Sequence, residues 1–107
     1  MDNFTYRRAR TPQEALDALQ QQDGSKLLAG GTDLVPLMKE GIWSPHTLVD
    51  ITGMSGCDVV EAGEDGLHIG ALVPLSTLAA HPTIQQSYTA LSDACRLAAT
   101  PQLRNMG

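Results

Sequence analysis

Residues 28–34, with the order Leu-Ala-Gly-Gly-Thr-Asp-Leu, are the part of the sequence best suited to chemistry. Gly30 and Gly31 can adopt backbone angles that other residues avoid, and they leave their N–H groups uncovered. Thr32 or Asp33 can cap a following helix. Because a helix start carries unpaired N–H donors and about half a positive charge, the stretch predicts a pocket for an anion such as phosphate. A tight strand-to-helix turn without a ligand explains the same residues, and this alternative stays open.

Other kinds of chemical site find little support in the sequence. It has no GxxxxGK[ST], GxGxxG or GxSxG pattern, so no P-loop, Rossmann site or serine nucleophile is predicted. His46, His68 and His81 share no metal-ligand spacing and are interpreted as surface residues. Cys57 and Cys95 lie far apart, and we predict two plain thiols rather than a disulfide or metal ligands. No catalytic residue and no metal site is predicted.

Length and charge restrict the class of protein. The chain has 107 residues, which is one domain or part of one, and a net charge of −5. This acidic balance argues against nucleic acid as a partner, because no basic stripe is present to neutralise phosphates. No apolar run is long enough to cross a membrane, and the first residues show no leader pattern. Because Cys57 and Cys95 fit no disulfide framework, a reducing cytosol is the simplest compartment, and we expect a cytoplasmic protein.

Three short segments in the first half predict β-strands. Residues 4–6 are expected to form an edge strand, residues 27–29 a short buried strand, and residues 48–51 a further strand. A helix pattern separates each pair of strands. This order predicts a small, right-handed, parallel βαβ layer.

Two helices are predicted between these strands. The first begins at Thr11, with Glu14 completing a capping box, and it ends near Gly24. The second covers residues 33–40, and its proline falls in the first turn, where no intrahelical partner is lost. The predicted inward face of the first helix is formed by Ala15, Leu16 and Leu19.

The pattern changes near Gly53, which predicts two subdomains covering residues 1–52 and 53–107. Residues 57–62 and 67–71 predict two antiparallel strands joined by a hairpin turn. Alternation along the second of these strands predicts one buried face. That face would be formed by Leu67, Ile69 and Ala71.

The remainder of the second half predicts helices and a loop. A short helix opens at residues 75–78 and stops before Pro82, and a longer one covers residues 88–99. Its apolar side would be formed by Leu91, Ala94, Cys95 and Ala98. Residues 100–107 predict a loop. Because a single hairpin leaves unpaired edges, we expect an α+β fold that is incomplete at residue 107 and prone to self-association.

The sequence resembles the FAD-binding family of molybdopterin dehydrogenases. The resemblance begins at residues 28–39, which are similar to the first flavin-binding stretch of that family. Residues 48–51 and 67–71 resemble its next landmarks, and residues 99–107 resemble the approach to its second flavin loop. These landmarks follow the family's order over essentially the whole chain. The family includes flavin subunits of xanthine dehydrogenase, carbon monoxide dehydrogenase and aldehyde oxidoreductases.

The resemblance implies a fold and a cofactor. The fold would be the N-terminal part of a PCMH-type FAD-binding domain, truncated before the second loop of the form TxGGN. The cofactor would be FAD, with its pyrophosphate wrapped by the first loop and a flavin contact near the second motif. The residues that the resemblance assigns to FAD are Leu28, Ala29, Gly30, Gly31, Thr32, Asp33, Leu34 and Ala98.

The resemblance also implies an oxidoreductase role and partners. Electrons would pass from iron–sulfur clusters in one partner subunit through FAD to NAD or another acceptor. Substrate would be oxidised at a molybdenum cofactor in another subunit. The chain alone would be inactive and would bind FAD weakly or not at all. The alternative is a non-catalytic anion-binding or protein-interaction module of the same fold that does not retain flavin.

Overall fold

A computed structural model describes residues 3–21 and 23–107, and the chain divides into two compact units between Ser55 and Gly56. This division lies close to the predicted boundary at residue 53. Each unit contains its own hydrophobic cluster. The expectation of no leader pattern rests partly on residues 1 and 2, which lie outside the described residues.

A three-stranded parallel sheet forms the centre of the first unit. Its strands are β1 (Thr5–Arg8), β2 (Ser25–Leu28) and β3 (Thr47–Asp50), arranged in the order β1-β3-β2. The last strand in sequence is therefore the middle strand in space, and its first three residues are buried. This confirms the predicted parallel layer and the edge position of β1.

Helix α1 (Pro12–Gln21) packs against β3. It begins as predicted, because the Thr11 hydroxyl accepts a hydrogen bond from the Glu14 amide at 3.1 Å. Its buried residues are Ala15 and Ala18, which lie against Val49. Leu16 was predicted to face inward, and this is wrong because its side chain is 48% exposed. The inward stripe follows the spacing of three residues from Ala15 to Ala18, which turns Leu16 away from the sheet.

Strand β2 is less buried than predicted. It lies at the edge of the sheet, and Leu27 is 43% exposed. An edge strand has a neighbour on one side only, so its apolar residues do not need to be enclosed. Helix α2 (Leu34–Lys39) follows it and buries Met38.

The second unit begins with an antiparallel hairpin. Strand β4 (Val60–Gly63) pairs with β5 (Gly66–Ile69), with Gly63 opposite Gly66. The predicted hairpin is confirmed, although both strands are shorter than expected. Leu67 packs on the core, but the predicted burial of Ile69 and Ala71 is wrong, since Ile69 is 39% exposed and Ala71 is exposed. A two-stranded sheet has too little area to pack against the core of this unit along the whole length of its strands.

Four helices complete this unit, namely α3 (Leu75–Ala80), α4 (Pro82–Ser87), α5 (Thr89–Leu97) and α6 (Pro101–Arg104). Helix α4 was missed because Pro82 was interpreted as a stop, whereas it occupies the first turn of a new helix. The predicted loop over residues 100–107 is wrong for the same reason. Thr100 caps α6 by accepting a hydrogen bond from the Leu103 amide at 3.2 Å.

The core of the second unit is formed by Val73, Leu78, Ile84 and Cys95, each buried. Ser92 is also fully buried, and its hydroxyl donates a hydrogen bond to the Ala79 carbonyl at 3.1 Å. Ala94, predicted on the apolar side of α5, is exposed instead. Among the described residues, no helix is long and apolar enough to cross a membrane.

The two thiols are expected to react at very different rates. Cys95 is 4% exposed inside the core, whereas Cys57 is partly exposed, and both are free. Alkylation of the native protein, followed by mass spectrometry of peptides, should modify Cys57 at least tenfold faster. Denaturation should remove the difference. Equal native rates, or a disulfide between the two residues, would contradict this burial pattern.

Candidate functional site

The predicted anion-binding stretch forms the turn between β2 and α2. Leu28 ends β2, and its carbonyl accepts a hydrogen bond from the Ile51 amide at 2.9 Å. Gly31 has a φ of 74°, and its carbonyl accepts a hydrogen bond from the Val35 amide at 3.1 Å. The structure thus brings the predicted residues 28–34 together in one continuous turn at the carboxyl end of β2.

The backbone N–H groups of this turn are its main chemical feature. Within the described part of the chain, the amides of residues 29–33 donate to no other backbone carbonyl. The turn is only partly covered, and Ala29 and Asp33 are exposed. Successive amides without internal partners are the donors from which protein anion sites are built. The turn therefore suits a ligand such as phosphate, which brings several acceptor oxygens.

Helix α2 contributes less to this site than predicted. It has only six residues, so few peptide dipoles are aligned along it. Asp33 occupies the N-cap position as predicted, but its side chain makes no capping hydrogen bond. The donors are therefore the amides of the turn rather than a helix terminus.

Gly31 is the residue on which the shape of the turn depends. Its positive φ is unfavourable for any residue with a Cβ atom. A Cβ placed there would also lie 3.0 Å from a methyl carbon of Val35 and 3.2 Å from one of Leu28. The conformation of the turn therefore favours glycine, and a Cβ there would also require the Val35 and Leu28 side chains to shift.

Ala98, the remaining predicted site residue, belongs to the second unit. It is the C-cap of α5, and its carbonyl accepts a hydrogen bond from the Arg104 guanidinium at 2.7 Å. The following residue, Ala99, has a φ of 52° and is the one non-glycine residue with positive φ in the described ranges. Such a conformation is costly for alanine, so this turn is held under strain by its neighbours.

A polar cluster at the end of β3 is absent from the sequence predictions. The Asp50 carboxylate accepts hydrogen bonds from the Thr52 amide at 2.9 Å and the Thr52 hydroxyl at 2.6 Å. It also accepts one from the phenol of Tyr6 on β1. The available signal was an aspartate at a strand end with threonine two residues later, which is typical of an Asx turn.

Hydrogen bonding controls the ionisation of this cluster. Burial raises the pKa of the Asp50 carboxyl, but the hydrogen bonds from Thr52 and Tyr6 outweigh burial and lower it below its usual value. The hydrogen bond that the Tyr6 phenol donates to the Asp50 carboxylate raises the pKa of that phenol. At neutral pH the cluster therefore contains an ionised carboxylate and a neutral phenol.

Among residues 3–21 and 23–107, no three His, Cys, Asp or Glu side chains are placed to hold a metal ion. The fold is that of an α+β protein, and the amides of residues 29–33 form a turn of a kind suited to a phosphorylated ligand. The chain belongs to the family described as "FAD binding domain in molybdopterin dehydrogenase", which matches residues 2–107. The resemblance stated from the sequence is thereby confirmed.

Named relatives support the same assignment. The chain is 45% identical over 106 residues to the aldehyde oxidoreductase FAD-binding subunit of Escherichia coli K12, covering 98% of this chain and 33% of the relative. It is 36% identical over 106 residues to the carbon monoxide dehydrogenase medium chain of Hydrogenophaga pseudoflava, covering 97% of this chain and 37% of the relative.

Solved structures agree with the fold. A solved structure of the carbon monoxide dehydrogenase from H. pseudoflava matches with a TM-score of 0.95 at 33% identity, covering 99% of this chain and 37% of that one. Quinoline 2-oxidoreductase from Pseudomonas putida 86 matches with a TM-score of 0.93 at 26% identity, with the same coverage. The predicted α+β fold is confirmed. The chain spans about a third of the length of these relatives.

The Asp50 cluster predicts acid-sensitive stability. The pKa of the Asp50 carboxyl is lower in the folded protein than in the unfolded chain, so ionised Asp50 stabilises the fold at neutral pH. This contribution is complete above the unfolded pKa of about 3.9 and is lost as pH falls through the folded value. Asp50→Asn should therefore lower the melting temperature at pH 7, with the difference from wild type shrinking below about pH 4.

Thermal unfolding of both proteins between pH 7 and pH 3 measures this effect. Asp17→Asn is a matched control, because within the described ranges Asp17 accepts a single hydrogen bond, from Gln13, on the exposed side of α1. Its difference from wild type should be small at every pH. A difference for Asp50→Asn that stays constant down to pH 3 would contradict the assigned role of the carboxylate.

Proposed function

We propose that this chain is the pyrophosphate-binding part of the flavin subunit of a molybdenum-containing dehydrogenase. In the proposal the amides of residues 29–33 bind the two phosphates of FAD, within the segment Leu28, Ala29, Gly30, Gly31, Thr32, Asp33 and Leu34. Ala98 provides a further contact to the cofactor. The single observation that carries the proposal is the run of free amides, in a chain that belongs to an FAD-binding family.

The chemistry of the turn fits a dinucleotide better than a neutral ligand. A pyrophosphate brings several charged acceptor oxygens, and the turn offers amide donors that give no hydrogen bond to any backbone carbonyl of the described residues. The turn adds no basic side chain, since residues 28–34 contain neither lysine nor arginine. Recognition would therefore depend on backbone geometry, and the shape of the turn becomes the property to test.

The remaining chemistry would belong to the cofactor and to partner subunits. FAD, when bound, supplies redox chemistry that can connect one-electron iron–sulfur carriers with a two-electron acceptor such as NAD. We propose that this chain positions the cofactor without an acid–base residue of its own. Partners would be an iron–sulfur subunit and a molybdenum-cofactor subunit. In support, relatives are named as the FAD-binding subunit of an aldehyde oxidoreductase and as the medium chains of two dehydrogenases.

Two alanine substitutions at glycines with the same φ of 74° test the proposal. Gly31→Ala should weaken FAD binding by the complete flavin subunit at least tenfold, because its Cβ would push against Val35 and Leu28 and displace the amides. Gly41→Ala carries the same backbone strain, but its Cβ would meet no atom within 4 Å. Both changes should destabilise the fold by roughly 1–2 kcal/mol.

Isothermal titration with FAD and thermal unfolding separate the two effects. The proposal requires the Gly41→Ala protein to retain the wild-type dissociation constant within about twofold. Equal FAD affinity in the Gly31→Ala and wild-type proteins would overturn the assignment of the turn. A wild-type protein that binds inorganic pyrophosphate but no FAD would favour the alternative of an anion-binding module.

Residues 1–107 on their own should bind FAD more weakly than the complete subunit. The family grips the pyrophosphate with two loops, and a hydrogen bond to a charged group contributes roughly 1.5–3 kcal/mol. Lacking about two such bonds would weaken binding by a factor of about a hundred to ten thousand. Equilibrium dialysis and light scattering should find little bound FAD and some self-association. Sub-micromolar FAD binding by monomeric residues 1–107 would show that they form a complete site.

A further inference from the structure

Asp50 connects all three strands of the first unit at their carboxyl ends. In the register of the sheet it lies beside Arg8 of β1 and Leu28 of β2. Its carboxylate holds Tyr6 and Thr52, and its own carbonyl accepts a hydrogen bond from the Ala9 amide at 2.9 Å. The residue therefore fixes β1 and the turn after β3 at the same point.

Ile51 transmits this constraint to the turn of free amides. It lies between Asp50 and Thr52, and its amide donates to the Leu28 carbonyl at 2.9 Å. A peptide unit is planar and trans, so the Leu28 carbonyl and the Ala29 N–H point in opposite directions. Holding the carbonyl toward Ile51 thus sets the direction of the Ala29 N–H, the first free donor of the turn.

The Arg8 side chain packs against the segment that follows β3. A Cβ on Gly53 would lie 2.8 Å and 2.9 Å from two guanidinium nitrogens of Arg8, so this side chain packs directly on the Gly53 backbone. The segment after β3 is therefore held by the Asp50 carboxylate and by the Arg8 side chain. Little freedom remains for Ile51, which lies between these contacts.

We propose that Asp50 is a positioning residue for the cofactor, which orients the first phosphate-binding amide through Ile51 and Leu28. The inference rests on the proposed function, because it takes the turn after β2 to bind the FAD pyrophosphate. Asp50 itself does not contact the cofactor in this proposal. Its carboxylate acts by ordering the segment from Ile51 to Gly53.

Amide hydrogen exchange tests the first part without any cofactor. In the Asp50→Ala protein, exchange of the Ile51 amide measured by NMR should become at least tenfold faster. Exchange of the Leu48 amide, inside β3, should accelerate only by the factor that the loss of global stability, measured by denaturant unfolding of the same protein, accounts for. In the Asp50→Asn protein, the exchange rate of the Ile51 amide should lie between those of wild type and Asp50→Ala. The side-chain oxygen of Asn can still accept a hydrogen bond from Thr52. Unchanged exchange at Ile51 in the Asp50→Ala protein would overturn the inference.

FAD titration of the complete subunit tests the second part. Asp50→Ala should weaken binding about tenfold, and Tyr6→Phe, which removes one of the three hydrogen bonds, should weaken it less. Val49→Ala is the matched control, because Val49 is fully buried against α1 and its loss lowers stability without touching the carboxylate. Its dissociation constant should remain within twofold of wild type, well below its melting temperature.

The outcomes separate this inference from the proposed function. Absence of FAD binding by the wild-type subunit overturns the proposed function. Wild-type binding with unchanged affinity in the Asp50→Ala and Asp50→Asn proteins overturns the positioning role alone. Equal weakening by Val49→Ala also overturns it, because affinity would then follow global stability. Asp50→Asn and Tyr6→Phe keep the test decisive if Asp50→Ala does not fold.

Discussion

The pairing of β3 with both neighbouring strands is the constraint on which the first unit depends. β1 and β2 lie on opposite sides of β3 and do not touch each other in the sheet. Parallel strands need long crossover connections, which here are provided by the segments containing α1 and α2. Because all three strands are parallel, the turns that follow them lie at the same end of the sheet, where the strands have their carboxyl ends. The free amides after β2 and the Asp50 cluster after β3 are both at this end.

An anion site built from backbone amides has a particular physical character. Its donors carry no net charge and are not titratable, so their strength depends on direction and on the exclusion of competing acceptors. In the proposed site, the positive φ at Gly31 and the hydrogen bond from the Ile51 amide to the Leu28 carbonyl would set these directions. The dependence on direction also makes the site sensitive to small movements of the backbone. The chain as a whole remains acidic, with a net charge of −5.

The second unit uses a different means of support. Its two strands cannot enclose a core, so helices α3, α4 and α5 surround Ile84 and Cys95. The buried Ser92 hydroxyl adds a connection between α5 and the end of α3 through the Ala79 carbonyl. At the end of α5 the chain turns through the strained Ala99, and the Arg104 side chain holds that turn by bonding to Ala98. Strain of this kind persists only where neighbouring contacts hold it in place.

Local patterns in the sequence determined the elements whose signals act over a few residues. The cap at Thr11, the glycine turn at Gly31 and the hairpin of β4 and β5 were all readable, because each depends on short-range sterics or hydrogen bonds. Only the tertiary structure decided the order β1-β3-β2, which left Leu27 exposed at an edge. Only it brought Tyr6 to Asp50, which are 44 residues apart, since no periodicity encodes which strand lies beside which. The turn of residues 28–34 could therefore be predicted from its own amino-acid sequence. The hydrogen bond from the Ile51 amide to the Leu28 carbonyl depends on the pairing of β2 with β3.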